Sequence, residues 1–114
     1  MKLYGIKNCD TVKKARKWLD ETGINYEFHD FKKDGLDSDT LAAWEQAVGW
    51  EILLNRRGTT WRKLPDEVRD TIDGQSAHQV MLDNPSIIKR PVVEHDGQVR
   101  VGFKAEDWNQ AFGH

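Results

Sequence analysis

Cysteine is nearly absent from this chain: among 114 residues there is one, Cys9. A single thiol excludes an internal disulfide framework and points to a reducing compartment, so a cytoplasmic location is expected. Long apolar runs are missing as well. No stretch approaches the roughly 20 residues of a membrane-spanning helix, and the first residues lack the apolar core of a signal peptide, so no membrane association is expected. Neither sign of charge is in excess: 17 Lys and Arg against 19 Asp and Glu leave a formal net charge of -2. Nucleic acid is therefore not an expected partner. His29, His78, His95 and His114 have no metal-ligand spacing with one another or with Cys9, so no metal site is expected. No phosphate loop ending in Gly-Lys-Ser/Thr occurs, and Asp73-Gly74 reads as a turn signal only. The five tryptophans, spread over different segments, read as packing residues rather than a stacking platform. At this length the expectation is one domain, residues 1–114, able to bury a core without disulfide or metal.

What is present begins with the placement of Cys9 in Met1-Lys-Leu-Tyr-Gly-Ile-Lys-Asn-Cys-Asp-Thr-Val-Lys-Lys-Ala, where a strand ends and a helix begins. The first N–H groups of a helix lack internal partners and carry the positive end of the macrodipole, so a sulfur held there is favoured as thiolate. Lys13 and Lys14 add positive charge in the same turns. The alternative is an inert, buried cysteine acting as a small hydrophobe. The polar neighbours Asn8, Asp10 and Thr11 favour the reactive reading.

Lys2 to Tyr4 begins the strand, and Val12, Ala15, Trp18, Leu19 and Thr22 mark the inward face of a helix stopped at Gly23. Ile24 to Asp30 alternates as a second strand, and the close succession of strand, helix and strand predicts a parallel, right-handed unit. From about 32 to 84 the pattern turns helical. Leu41, Trp44 and Val48 follow the cap candidates Asp37 and Ser38, Val68 and Ile72 follow Pro65, and Ser76 to Asp83 reads as a further short helix. Strands return in Val92 to Val101, whose central Asp96-Gly97 predicts a two-residue hairpin turn. Ala105, Trp108, Ala111 and Phe112 then give a closing helix.

The order β-α-β, helical insert, β-β-α predicts an α/β fold that resembles thioredoxin, with a four-stranded mixed sheet. In that fold the proline opening the third strand, here Pro91, follows a cis bond and its loop faces the cysteine, which implies that Arg90-Pro91 lies beside Cys9. The chain more specifically resembles the arsenate reductase/Spx family and its YffB-like branch. The resemblance rests on Tyr4-Gly-Ile-Lys-Asn-Cys-Asp-Thr-Val-Lys-Lys-Ala15, Leu54-Asn-Arg-Arg-Gly-Thr-Thr-Trp-Arg-Lys-Leu64, Asn84-Pro-Ser-Ile-Ile-Lys-Arg-Pro-Val-Val93 and Val101-Gly-Phe-Lys-Ala-Glu-Asp-Trp108.

That resemblance implies thiol chemistry at Cys9, with Arg90 binding an oxyanion or a glutathione carboxylate. Asn8, Lys13, Pro91 and an arginine of the insert, Arg56 or Arg57, would line the same pocket. A planar guanidinium fork suits that task at Arg90; a solvated arginine before a strand is the alternative. Glutathione is implied as a thiol co-substrate and glutaredoxin as a partner; no bound cofactor is expected, and a monomeric protein is expected. Of the three arginines that the arsenate reductases place around their cysteine, only Arg90 aligns. The insert arginine falls on Asn55 and the third near Phe103, beside Lys104, so arsenate turnover is expected to be slow or absent. Val12 stands where Spx regulators carry the second cysteine of their Cys-x-x-Cys switch, which excludes that switch here. The leading expectation is a glutathione-dependent thiol–disulfide reductase. The rival is an Spx-like interaction module that binds RNA polymerase without catalysis.

Overall fold

The computed structural model describes residues 1–112, so His114, which ends the chain, lies outside the described residues. The chain separates into two compact units, Met1–Asp34 together with the chain from Arg90 onward, and Gly35–Lys89. The second unit thus begins slightly after, and ends slightly after, the helical segment that the sequence pattern places at about 32–84.

In the first unit, β1 (Lys2–Gly5), α1 (Asp10–Thr22), β2 (Glu27–Asp30) and the single turn α2 (Phe31–Asp34) precede the second unit. The strand order is β2-β1-β3-β4, where β3 spans Val92–His95 and β4 spans Gln98–Val101. β1 runs parallel to β2 and antiparallel to β3, and β3 and β4 form an antiparallel hairpin, giving the mixed sheet that the element order implies. The hairpin turn places Asp96 at φ 51° and Gly97 at φ 76°. Both are left-handed, as a tight turn that follows the twist of its strands requires, and Asp-Gly tolerates that at little cost.

Leu3 stands opposite Phe28 on one side and Val93 on the other, so these residues share one face of the sheet. On that face Leu3 and Val93 are buried with Val12, Ala15 and Leu19 of α1 and Trp108 of α8 (Ala105–Phe112). The i, i+3, i+7 spacing on α1 is what allows one helix stripe to cover the strands. α1 also approaches β1 unusually closely, because a Cβ built on Gly5 would sit 2.7 Å from a Val12 methyl. Glycine there lets the end of β1 and the start of α1 pack against each other.

Two expectations need correction in this unit. The second strand begins at Glu27, not Ile24. α1 closes on Gly23 at φ 74°, Ile24 N–H returns to the Leu19 carbonyl at 3.0 Å, and the first sheet bond of the segment is Glu27 N–H to Met1 O at 3.0 Å. Ile24 and Tyr26 therefore pack against the core from a connection, outside the ladder. Thr22 is exposed; its hydroxyl donates to the Trp18 carbonyl at 2.8 Å, occupying an acceptor that the ending helix leaves open.

The second unit is helical: α3 (Ser38–Val48), α4 (Trp50–Leu53), α5 (Thr59–Arg62), α6 (Asp66–Asp70), α7 (Gly74–Asp83) and a 3₁₀ turn at Pro85–Ile87. Its buried residues include Leu41, Trp44, Leu53, Leu54, Ala77, Met81, Ile87 and Ile88. Asp37 caps α3 through its side chain. Asp73 is more than a turn residue: it accepts from Ser76 N–H at 2.8 Å while the Ser76 hydroxyl accepts from Asp73 N–H at 2.9 Å, a reciprocal cap that starts α7 at Gly74, two residues before Ser76. α6 ends at Asp70, so Ile72 lies beyond it. The Ser38 hydroxyl lies 2.9 Å from His78 Nε2, and His78 Nδ1 meets Glu45, which ties α3 to α7. No helix among the described residues is long and apolar enough to cross a membrane.

Candidate thiol site

A tight turn joins β1 to α1, with Cys9 N–H donating to Ile6 O at 3.1 Å. Cys9 itself is the N-cap: it is extended (φ −80°, ψ 127°), and its carbonyl accepts the first helical bond, from Lys13 N–H at 2.9 Å. Its side chain makes no cap hydrogen bond in this resting geometry, which suits a thiol, a weak acceptor. The anion is another matter. Partial burial works against it but is outweighed by the Val12 N–H, by the Arg90 guanidinium acting through both a hydrogen bond and its charge, and by the Thr11 N–H. Together these hold the thiol below its ordinary value.

Sheet topology brings Arg90 there. β1 and β3 are antiparallel neighbours with Tyr4 opposite Val92, so the end of β1, which leads into Cys9, lies beside the start of β3, which follows Arg90-Pro91. The Arg90–Pro91 peptide is cis, Pro91 is buried, and its carbonyl accepts from Gly102 N–H at 2.8 Å. That glycine bond ties the proline loop to the end of β4, and nothing in the sequence pattern beyond a glycine after a strand signals it.

Of the residues singled out from sequence, Cys9, Arg90 and Pro91 come together. Asn8 is exposed on the turn before Cys9, and Lys13 is exposed on α1; Arg90 is a cation that lowers the thiol pKa. Arg56 and Arg57 belong to the second unit and are exposed. Arg56 stacks over Trp50 at 5.7 Å and Trp61 at 5.6 Å. Asn55, which takes the place of the family's insert arginine, organises its own turn by accepting from Arg57 N–H at 3.1 Å. Phe103, in the place of the third arginine, packs on the core and meets the Trp108 ring edge to face at 4.7 Å. Among the described residues no three His, Cys, Asp or Glu side chains cluster as metal ligands.

A parallel β-α-β half, an antiparallel β-β-α half, a cysteine opening the first helix and a cis-proline loop beside it define a thioredoxin-like protein of single-cysteine type. Residues 4–111 match the model of the ArsC family, and the chain belongs to that family, the arsenate reductase/Spx group. It is similar in structure to a YffB protein, 49% identical with a TM-score of 0.93 and 96% of each chain covered. An arsenate reductase (ArsC) related protein from Brucella melitensis is 55% identical, with a TM-score of 0.80 over 99% of this chain and 94% of that one. A global transcriptional regulator Spx from Staphylococcus epidermidis is 24% identical over 107 residues, 92% of this chain and 81% of the regulator.

Proposed function

We propose that this protein is a glutathione-dependent thiol–disulfide reductase with Cys9 as its nucleophile. The observation that carries the reading is the placement of Cys9 as the N-cap of α1, with the β1–β3 register bringing the cis Arg90–Pro91 turn beside it. In that arrangement helix N–H groups and the Arg90 guanidinium favour thiolate. The Cys9 thiolate attacks the glutathione sulfur of a mixed disulfide, the S–S bond breaks, and the other thiol leaves with the electron pair. A Cys9–glutathione disulfide results. No second cysteine is available, so an external thiolate, from glutathione or a glutaredoxin, attacks that disulfide and frees Cys9 as oxidised glutathione or its glutaredoxin equivalent forms. Incubation with oxidised glutathione followed by intact-mass measurement tests this. One glutathionyl group at Cys9, removed by excess reduced glutathione and absent in Cys9→Ser, is the expected result; a chain that stays unmodified, or that mainly forms a Cys9–Cys9 dimer at low concentration, refutes it.

The similarity to regulators named Spx supports a second reading, an interaction module without catalysis. Stoichiometric RNA polymerase retained from lysate, with no glutathione-stimulated turnover, would favour it over the enzyme.

A further inference from the structure

The flank of β4 and the start of α8 carry a cleft that the chemistry above leaves unused. Its volume is about 470 Å³, and Arg100, Gly102, Phe103, Lys104, Asp107 and Trp108 line it. That size suits a small ligand. Phe103 and Trp108 give it an apolar side, and Arg100, Lys104 and Asp107 bring two cations and one anion to the same opening. Among the described residues no ion pair occupies these three. Arg100 has only the Gln98 amide oxygen at 3.5 Å and the face of Phe112 at 5.5 Å.

The cleft is joined to the thiol by the backbone. Gly102, in its wall, donates to the carbonyl of Pro91, the residue after the arginine on the Cys9 sulfur. Phe103, also in its wall, packs with Cys9 against one buried cluster.

We propose that this cleft holds the charged backbone of glutathione while its sulfur is presented to Cys9, an inference that rests on the reductase reading above. Glutathione carries two carboxylates and one ammonium, the complement of two cations and one anion. The planar fork of Arg100 takes one carboxylate, Lys104 the other, and Asp107 the ammonium. Arg90 is thereby left to the sulfur. Fixing the tripeptide on the flank of β4 raises the local concentration of its sulfur at Cys9 without adding any group to the chemical step.

Two measurements test this. In Cys9→Ser protein titrated with S-methylglutathione, amide shifts are expected to cluster on residues 102–107, and Lys104→Ala or Arg100→Gln is expected to weaken binding by about tenfold, the loss of one charge-assisted hydrogen bond. In chains that retain Cys9, the same substitutions are expected to slow modification by oxidised glutathione about tenfold while leaving the rate with a small uncharged disulfide unchanged. Binding shifts absent from 102–107, or variants that react with oxidised glutathione as the parent does, overturn the cleft assignment and leave Cys9 as nucleophile. A parent chain that reacts with the uncharged disulfide but takes no glutathionyl group overturns the glutathione reading and the cleft with it.

Discussion

Replacing Arg90 by alanine leaves the Cys9 thiolate with the N–H groups of Val12 and Thr11 but without the guanidinium that bonds it. A hydrogen bond to a charged group contributes about 1.5–3 kcal/mol. Cys9 is only half-buried, so solvent screening places this one at the low end, about 1.5 kcal/mol. Since 1.36 kcal/mol is a factor of ten between protonation states, the thiolate fraction below the parent's midpoint is expected to fall about tenfold. A more basic thiolate is also a better nucleophile, with a Brønsted coefficient of about 0.4–0.5, so each thiolate that remains attacks about threefold faster. The two effects oppose each other. With a small uncharged disulfide, whose reaction needs no other contact, Arg90→Ala should be about threefold slower than the parent at pH below both midpoints and about threefold faster above both. Stopped-flow rates across pH therefore give two profiles that cross. Superimposable profiles, or a variant whose midpoint moves down, would refute the placement of Arg90 on the sulfur.

The same lowered thiol pKa has a stability consequence, because a thiol more acidic when folded than when unfolded adds stability as pH rises through the interval between its two values, and that stability is lost as pH falls through the folded one. Denaturant midpoints of the parent minus those of Cys9→Ala should therefore widen with rising pH over that window, and a flat difference counts against a folded-state thiolate. Gly5→Ala puts a methyl 2.7 Å from Val12 and should cost about 1–3 kcal/mol by thermal unfolding, relieved when Val12→Ala is combined with it; two costs that simply add would show that the clash is not the cause. Arsenate reduction, with glutathione and glutaredoxin supplied, should be slow or absent, since removing one preorganised oxyanion donor can cost roughly 10²- to 10³-fold. Installing the missing donor as Phe103→Arg should lower the thermal midpoint, because that ring packs against Trp108 in the core; efficient turnover by the parent, lost in Cys9→Ser, would refute the expectation.

Elements with a full period or a strong turn signal were legible in the chain: the Val12–Leu19 stripe, the Asp96-Gly97 hairpin and the closing helix all appear where their patterns place them. The one-turn helices at Phe31–Asp34, Trp50–Leu53 and Thr59–Arg62 were not, since four residues hold little more than one period. Asp73-Gly74 misled for a related reason: aspartate before glycine serves a turn and a helix cap alike, and only Ser76 three places on decides between them. At the site, the position of Cys9 was readable because it depends on its immediate neighbours. The family resemblance implied Arg90-Pro91 beside it, whereas the local reading credited the charge on its sulfur to Lys13 and Lys14. Lys13 is near in sequence, but Arg90 is nearer in effect, brought across the sheet by the pairing of β1 with β3.

That pairing makes the sulfur's chemistry a late event in the life of the chain. Cys9 leaves a ribosome 81 residues ahead of its guanidinium partner, and the whole helical unit is made in between. A nascent or unfolded chain can supply the local N–H groups of a fluctuating first helix, but no Arg90 at the sulfur, because closing so long a loop waits on the β1–β3 ladder. Its cysteine is then closer to an ordinary thiol, less ionised and for that reason slower to react with stray oxidants. Reactivity arrives with Arg90 and the β1–β3 ladder, and the fold that aims the nucleophile also keeps it quiet until that ladder has closed.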